Sequence, residues 1–394
     1  MKKRCLLVLP RPVFPLVCGY ALKNYHLIKI LNTHYDLKII LISEKDISSE
    51  EQNFYESLSL EFYSYRIPKY KSYLSCAIGL FSSRPLQICY FYDRELQKKI
   101  DLLASESDIL IAALIRTRKY FESIQLKANQ TLVFDMVDSI ALNYSRSKEH
   151  TSSLLWRFLY SIESKRLLKY ERNYIQTSTI TYLFNPEEVN FWNNAGNVTW
   201  LPHGVNNTLF TYTRTTQDYS NSVVFIGKMD YRPNVEAALW YLNNVHVIIG
   251  SKIPFIIVGA YPTEELQNFA RKFPNVTITG YVDDPYVYMN SALAIVAPMQ
   301  TGGGIQNKVL EGMALGKINI ISPLAAASIV GAKNGVHFLI ANSAEEYAEY
   351  IINIAQNPEQ YQSIATAAQE LIKNQFTWEA YGRGYVEGIE ATHI

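Results

Sequence analysis

"PMQTGGGIQNKVLEGMALGK", residues 298–317, decides how the chain is read. Gly302, Gly303 and Gly304 stand between an apolar run, "LAIVAP" (293–298), and a segment whose Ile305, Val309, Leu310 and Met313 fall at helical spacing. A strand that passes through a glycine turn into a helix makes an anion site. Glycine lets the backbone approach closely, the first helical amides have no internal partner, and the helix dipole favours negative charge. Lys308, one turn in, can add a cation. Glu311 lies too far along to share a phosphate but can accept hydrogen bonds from hydroxyls beside it, as a ribose partner does. A tight turn followed by a solvated glutamate would be written with the same residues. The stretch is neither a P-loop, since no Gly-Lys-Ser/Thr follows, nor a GxGxxG, since Asn307 stands where the last glycine belongs.

Outward from this stretch, short apolar runs alternate with amphipathic segments. "LLVL" (6–9), "LKIILIS" (37–43), "DILIAAL" (108–114), "TLVFD" (131–135), "TITYLF" (179–184) and "VTWL" (198–201) form one series. "SVVFIG" (222–227), "PFIIVG" (254–259), "NVTITGYV" (275–282), "LAIVAP", "KINIIS" (317–322) and "GVHFLIA" (335–341) form a second. The pattern predicts two doubly wound α/β domains, each a parallel sheet covered on both faces. The Asn- and Thr-rich "PHGVNNTLFTYTRTTQDYSNS" (202–222) reads as the linker. A ligand cleft is expected where the two domains face each other, beyond the carboxyl ends of the strands.

Composition fits this reading. In 394 residues, 48% are hydrophobic and 19% charged, enough for a core in each half. Residues 1–200 carry 26 Lys and Arg against 20 Asp and Glu, a net +6; residues 201–394 carry 11 against 16, a net −5. The acidic half argues against nucleic acid as a partner, and the basic half suits anionic lipid or a phosphorylated partner. The opening "MKKRCLLVLPRPVFPLVCGY" starts like a signal peptide, but Pro10 and Arg11 stop its apolar run and no cleavage site follows. With no run of the length that spans a membrane, and four cysteines (Cys5, Cys18, Cys76, Cys89) without CxxC spacing, the expectation is a reduced cytoplasmic protein. No metal site is expected: the seven histidines show no ligand spacing.

"TGGGIQNKVLEGMALGK" followed by "SPLAAASI" resembles the nucleotide-sugar site of GT-B glycosyltransferases, in particular family 4. "VVFIGKMDYRPNVEAALWYL" (223–242) is similar to that family's first strand, basic loop and helix of the donor domain, and "LPHGVN" (201–206) to its Pro-Asn-Gly-Val-Asp junction. "LPRPVFPLVCGYALKNYHLIKIL" (9–31) and "FDMVDSIALNYSR" (134–146) resemble, more loosely, the exopolysaccharide-associated sugar transferases.

The resemblance implies a GT-B protein of two Rossmann-like domains: an acceptor domain over 1–203, a donor domain over 204–375, and a final helix, 376–394, crossing back to the first. The implied activity is transfer of a sugar, hexosyltransferase fashion, from a nucleotide diphosphate sugar to a hydroxyl of a growing surface glycan or lipid-linked saccharide. No cofactor or metal is implied, since fixed cations serve the diphosphate: Lys228 and Arg232 in the loop opened by Gly227, together with Lys308. No Asp-x-Asp occurs to suggest a metal-dependent GT-A enzyme. The base is expected against "GYVDD" (280–284), at Val282, and the ribose on Glu311. Many members carry Glu-x7-Glu, but the position eight before Glu311 is Gly303. Contact with the donor sugar therefore falls to the amides of Gly302, Gly303 and Gly304 or to Gln300, and the family's usual retention of configuration rests on them. On the acceptor side, Gly19 marks the first loop, and Asp138 either serves the acceptor hydroxyl or caps the next helix with Ser139.

Two other functions share this outline: a GT-B sugar-nucleotide epimerase, and a non-catalytic nucleotide-sugar-binding partner of a transferase complex. Peripheral contact with anionic lipid at the inner face of the cell membrane is suggested by "YSYRIPKYKSYLSCAIGLF" (63–81) and "LLWRFLYSIESKRLLKYER" (154–172). The first sets Arg66, Lys69 and Lys71 among aromatic residues without clean periodicity; the second also suits a helix packed on the sheet.

Overall fold

The computed structural model describes residues 2–16, 18–150, 154–302 and 304–393, without the side chains of 146–150, 154–156 and 393. The chain divides into two compact units, one of residues 1–202 with 381–394, the other of residues 203–380.

In the amino-terminal unit, β1 (Arg4–Leu9), β2 (Asp36–Ser43), β3 (Glu61–Arg66), β4 (Ile109–Ala113), β5 (Thr131–Val137), β6 (Ile180–Leu183) and β7 (Val198–Trp200) form one sheet in the order β3-β2-β1-β4-β5-β6-β7. Every pairing is parallel. The central strands are apolar along their length because helices cover both faces: Leu6, Val8, Ile40, Leu110 and Ala112 pack in one buried cluster, Phe134, Met136, Leu183 and Trp192 in another.

The other unit repeats the plan with β8 (Val223–Ile226), β9 (Phe255–Val258), β10 (Val276–Ile278), β11 (Ala294–Ala297), β12 (Asn319–Ile321) and β13 (Leu339–Ile340), again parallel, in the order β10-β9-β8-β11-β12-β13. The segment 202–222, read as a linker, holds two short 3-10 turns, Asn207–Thr211 and Gln217–Tyr219.

β3 is the strand that the apolar runs do not announce. It lies at the sheet edge with its residues half-buried or exposed, so "EFYSYR" never forms an apolar run. The stretch 63–81 is thus the end of an edge strand followed by the helix Lys69–Leu80. That helix buries its small side: Ser72 is buried, and a β-carbon at Gly79 would lie 2.7 Å from the Cys89 sulfur. Tyr70, Tyr73, Leu74, Ile78 and the following Phe81 are left exposed along the opposite side. The three cations of this stretch each face a carboxylate: Arg66 lies 3.8 Å from Asp46, Lys69 3.3 Å from Glu44 and Lys71 3.9 Å from Asp93. The second stretch is the helix Leu154–Gln176, with Leu167, Tyr174 and Ile175 in the core and Phe158 outside. No helix among the described residues is long and apolar enough to cross a membrane.

Three strand exits turn through positive φ at side-chain-bearing residues: Leu114 (62°) after β4, Val137 (66°) at the end of β5 and Tyr261 (58°) after β9. For a β-branched or bulky residue this is strained backbone that the surrounding fold must hold in place. The β5 exit also shifts register against β6 between Asp135 and Val137.

Beneath this exit, Lys23 forms an ion pair with Asp135, both fully buried. Burial pulls the ammonium below its ordinary value and Asp135 opposes the shift. Removing one partner leaves a buried charge uncompensated. Lys23→Ala is therefore expected to destabilise the amino-terminal unit by roughly 3–5 kcal/mol in denaturant unfolding. Lys23→Met combined with Asp135→Asn, which removes both charges, should cost markedly less.

Candidate functional site

The candidate site is built in the carboxy-terminal unit from loops that follow β8, β10 and β11. β8 and β11 are neighbours in the sheet, so the loops at their carboxyl ends meet. The loop after β11 takes positive φ at Gly302 (98°) and Gly304 (87°), the conformation that the glycines permit. Gly303 lies outside the described residues. The helix Asn307–Ala314 then begins at Gln306, whose side chain makes no capping bond, so its first amides are not satisfied that way. Gln300 is exposed at the start of the loop, its amide turned to the Pro298 carbonyl at 3.1 Å.

Lys308 is buried in the first turn, over the Phe225 ring, with Nζ donating to Asn234 Oδ1 at 2.7 Å. Desolvation pulls its pKa down to about 7, against the pull of Glu311. Glu311, one turn on, is half-buried and accepts from the Tyr286 hydroxyl at 3.4 Å. Burial pushes its carboxyl up to about 7, with Tyr286 and Lys308 opposing. An anion beside Lys308 would restore its charge, and hydroxyl donors beside Glu311 would restore that of the carboxylate.

The loop after β8 opens at Gly227, where a β-carbon would lie 2.5 Å from the Asn234 amide nitrogen. That nitrogen donates to the Lys228 carbonyl at 3.0 Å. Lys228 and Arg232 are largely exposed and paired: Lys228 with Asp230 at 3.1 Å, Arg232 with Glu236 at 2.8 Å and Glu265 at 2.9 Å. Glu236 also accepts from Thr301 in the glycine loop at 2.7 Å, which ties Arg232 to that loop through one carboxylate. Val282 is half-buried in the loop between β10 and the helix Tyr286–Ser291.

Four residues that sequence reasoning did not assign to the site hold it together: Asn234, Glu236, Tyr286 and Asn307. An asparagine in a first helical turn reads as a cap, and only the fold places Asn234 between Lys228 and Lys308. His203, the histidine of "LPHGVN", bonds the Asn307 side chain at 2.6 Å through Nε2 and the Gly204 carbonyl at 2.8 Å through Nδ1, with its ring stacked on Trp378. Burial lowers its pKa, which favours the neutral ring.

The acceptor-side candidates lie in the amino-terminal unit. Gly19 is the first residue of the helix Gly19–His34. Asp138 is half-buried at the β5 exit, its amide donating to the Met136 carbonyl at 2.8 Å. The Ser139 hydroxyl accepts from Leu142 N at the start of the next helix and donates to the buried Glu171 at 2.6 Å. Among the described residues no three His, Cys, Asp or Glu gather in a metal-holding group.

Residues 220–357 match the family model described as glycosyl transferases group 1. The chain is 21% identical over 360 residues, 88% of its own length and 89% of the relative's, to an uncharacterized 44.6 kDa protein in the cps region of Klebsiella pneumoniae. The crystal structure of Anabaena Alr3699/HepE in complex with UDP-glucose is similar with a TM-score of 0.66 at 13% identity, covering 99% of this chain and 100% of that one. The apo form of the lipopolysaccharide outer core galactosyltransferase WaaB gives 0.64 at 11% identity, over 98% and 99%. The shared architecture is the GT-B fold.

The lowered pKa of Lys308 has a measurable sign. Between about 7 and its ordinary 10.5 the unfolded chain holds a proton on this lysine that the fold does not, so the contribution of Lys308 to stability rises with pH across that window. Lys308→Met abolishes the term. The stability of the variant relative to the parent protein should therefore fall between pH 8 and pH 10 in chemical denaturation; a difference that stays constant would mean an unshifted lysine.

Proposed function

We propose that the chain is a group 1 glycosyltransferase of GT-B fold that transfers a sugar from a UDP-sugar to a hydroxyl of a surface glycan or lipid-linked saccharide. The observation that carries the reading is the glycine turn of the matched segment, which delivers uncapped helical amides and Lys308 to one place and Glu311 one turn behind. UDP-glucose in the HepE complex supports a uridine donor of this type, and the cps-region relative supports a surface glycan as product.

In the proposed reaction the acceptor hydroxyl oxygen bonds to the donor's anomeric carbon. The bond from that carbon to the diphosphate breaks, and UDP leaves with the electron pair. The hydroxyl proton passes to a base, a role proposed for Asp138 at the β5 exit, with Gly19 on the same side. Amides of the glycine turn and the Lys308 ammonium stabilise the departing diphosphate, so that no metal is required. Lys228 and Arg232 assist once the diphosphate competes with Asp230, Glu236 and Glu265 for them. Val282 borders the uracil, and Gln300 with Gly302 and Gly304 lines the sugar.

Peripheral membrane contact is proposed through the exposed stripe Tyr70, Tyr73, Leu74, Ile78 and Phe81, with an anionic lipid surface as its occupant. The exposed cations Lys165 and Lys169 on Leu154–Gln176 and Arg84 beyond the stripe supply the charge. Arg66, Lys69 and Lys71 contribute little net charge because each faces a carboxylate.

Glu311→Ala is expected to weaken UDP binding by roughly 1.5–3 kcal/mol, the loss of charge-assisted hydrogen bonds, in calorimetry on folded variant. EDTA should leave turnover intact, and a strict need for Mg²⁺ or Mn²⁺ would overturn the metal-free scheme. For the membrane, Leu74→Ser with Ile78→Ser and Phe81→Ser should abolish sedimentation with anionic liposomes, whereas alanine at Arg66, Lys69 and Lys71 should weaken it only modestly.

A further inference from the structure

The amino-terminal unit contains a cavity of about 400 Å³ that none of the roles above uses. Arg11 reaches it from the exit of β1, Ser43 and Lys45 from that of β2, and Arg116 from the helix Leu114–Arg118 that follows β4 directly. Strand order reverses across β1, with β2 on one side and β4 on the other. Open α/β sheets bind ligands at the carboxyl ends of strands at such a reversal.

The charges in this cavity do not cancel. No carboxylate among the described residues lies within salt-bridge distance of Arg11 or Arg116. Arg116 instead donates to the Gln87 side chain at 3.2 Å and lies over the Phe91 ring; Arg11 lies over the Tyr20 ring, 4.0 Å from its centre. Arg116 is half-buried, and its pKa is lowered first by desolvation and then by repulsion from Arg11. The acidic residue among the described residues of the wall, Glu44, is engaged by the Tyr90 hydroxyl at 2.6 Å and by Lys69 at 3.3 Å. Two guanidinium groups with unused donors, one partly desolvated against apolar walls, fit a planar or tetrahedral oxyanion.

We infer that this cavity seats an anionic group of the acceptor, a carboxylate or a phosphate, between Arg116 and Arg11. The inference rests on the glycosyltransferase reading, which supplies the need for an acceptor, and names the class of acceptor. The anion could belong to a uronic acid of the glycan or to the phosphate of a lipid carrier, and both present the same oxygens to the two arginines.

Binding to the full chain, measured by calorimetry with four probes, tests it: methyl β-glucuronide, glucose 1-phosphate, farnesyl phosphate and neutral methyl β-glucoside. At least one anionic probe should bind tenfold or more tightly than the neutral glucoside. A preference for the glucuronide would assign the site to an acidic glycan, and a preference for farnesyl phosphate to a lipid carrier. Arg116→Gln, which keeps a partner for Gln87, and Arg11→Gln, at an exposed position, should each reduce that affinity tenfold or more while UDP affinity stays within twofold. Equal binding of neutral and anionic probes, unchanged anion affinity in both variants, or competition between UDP and the anionic probe would each overturn the assignment. UDP binding in the same variants keeps the two readings separate: its absence from the parent protein would count against the transferase, its persistence with loss of the anion would confirm the cavity.

Discussion

One side-chain amide, that of Asn234, governs the loops of the candidate site. It donates to the Lys228 carbonyl and accepts from Lys308 Nζ, so the loop after β8 and the helix after the glycine turn are fixed to a single group. A carboxylate in its place would satisfy the buried ammonium outright and leave no positive potential for a ligand. The neutral amide satisfies the hydrogen bond without supplying a countercharge, which leaves Lys308 buried and able to recover its charge beside an anion. The position of Lys228 and the small residue required at Gly227 both follow from this side chain, whereas the shift of Lys308 follows from its burial.

The amino-terminal unit treats charge in two contrasting ways. Beneath the β5 exit, Lys23 and Asp135 neutralise each other in the core. At the exits of β1 and β4, Arg11 and Arg116 line one cavity, and no carboxylate among the described residues lies within salt-bridge distance of either. Burial makes an uncompensated charge expensive, so the second arrangement persists at the partly open end of the sheet and the first where water is excluded.

Much of this could be read in the residues. Parallel strands covered on both faces are written as unbroken apolar runs, so the series from "LLVL" to "GVHFLIA" marks twelve of the strands to within a few residues. β3 escapes because an edge strand with exposed faces has no reason to be apolar. The glycine turn, Lys308 and Glu311 are legible because backbone chemistry demands those residue types in that order. Pairing is not. That Arg232 faces Glu265 as well as its i,i+4 neighbour Glu236, or that His203 meets Asn307, depends on loops brought together by strand order, which no local pattern encodes. The helix Lys69–Leu80 misleads for a further reason: its large residues point outward and its small ones inward, the reverse of an ordinary surface helix.

The left-handed corners at Leu114 and Val137 bear on how this protein could be stabilised. Glycine at either position would relieve local strain but widen the unfolded ensemble and free the exit to wander. Each corner sets the direction of the segment behind it, one bearing Arg116 and the other Asp138. Relaxing these corners would set relief of strain against a larger unfolded ensemble and a looser exit, whereas substitutions on the helices far from the strand exits would carry no such exchange.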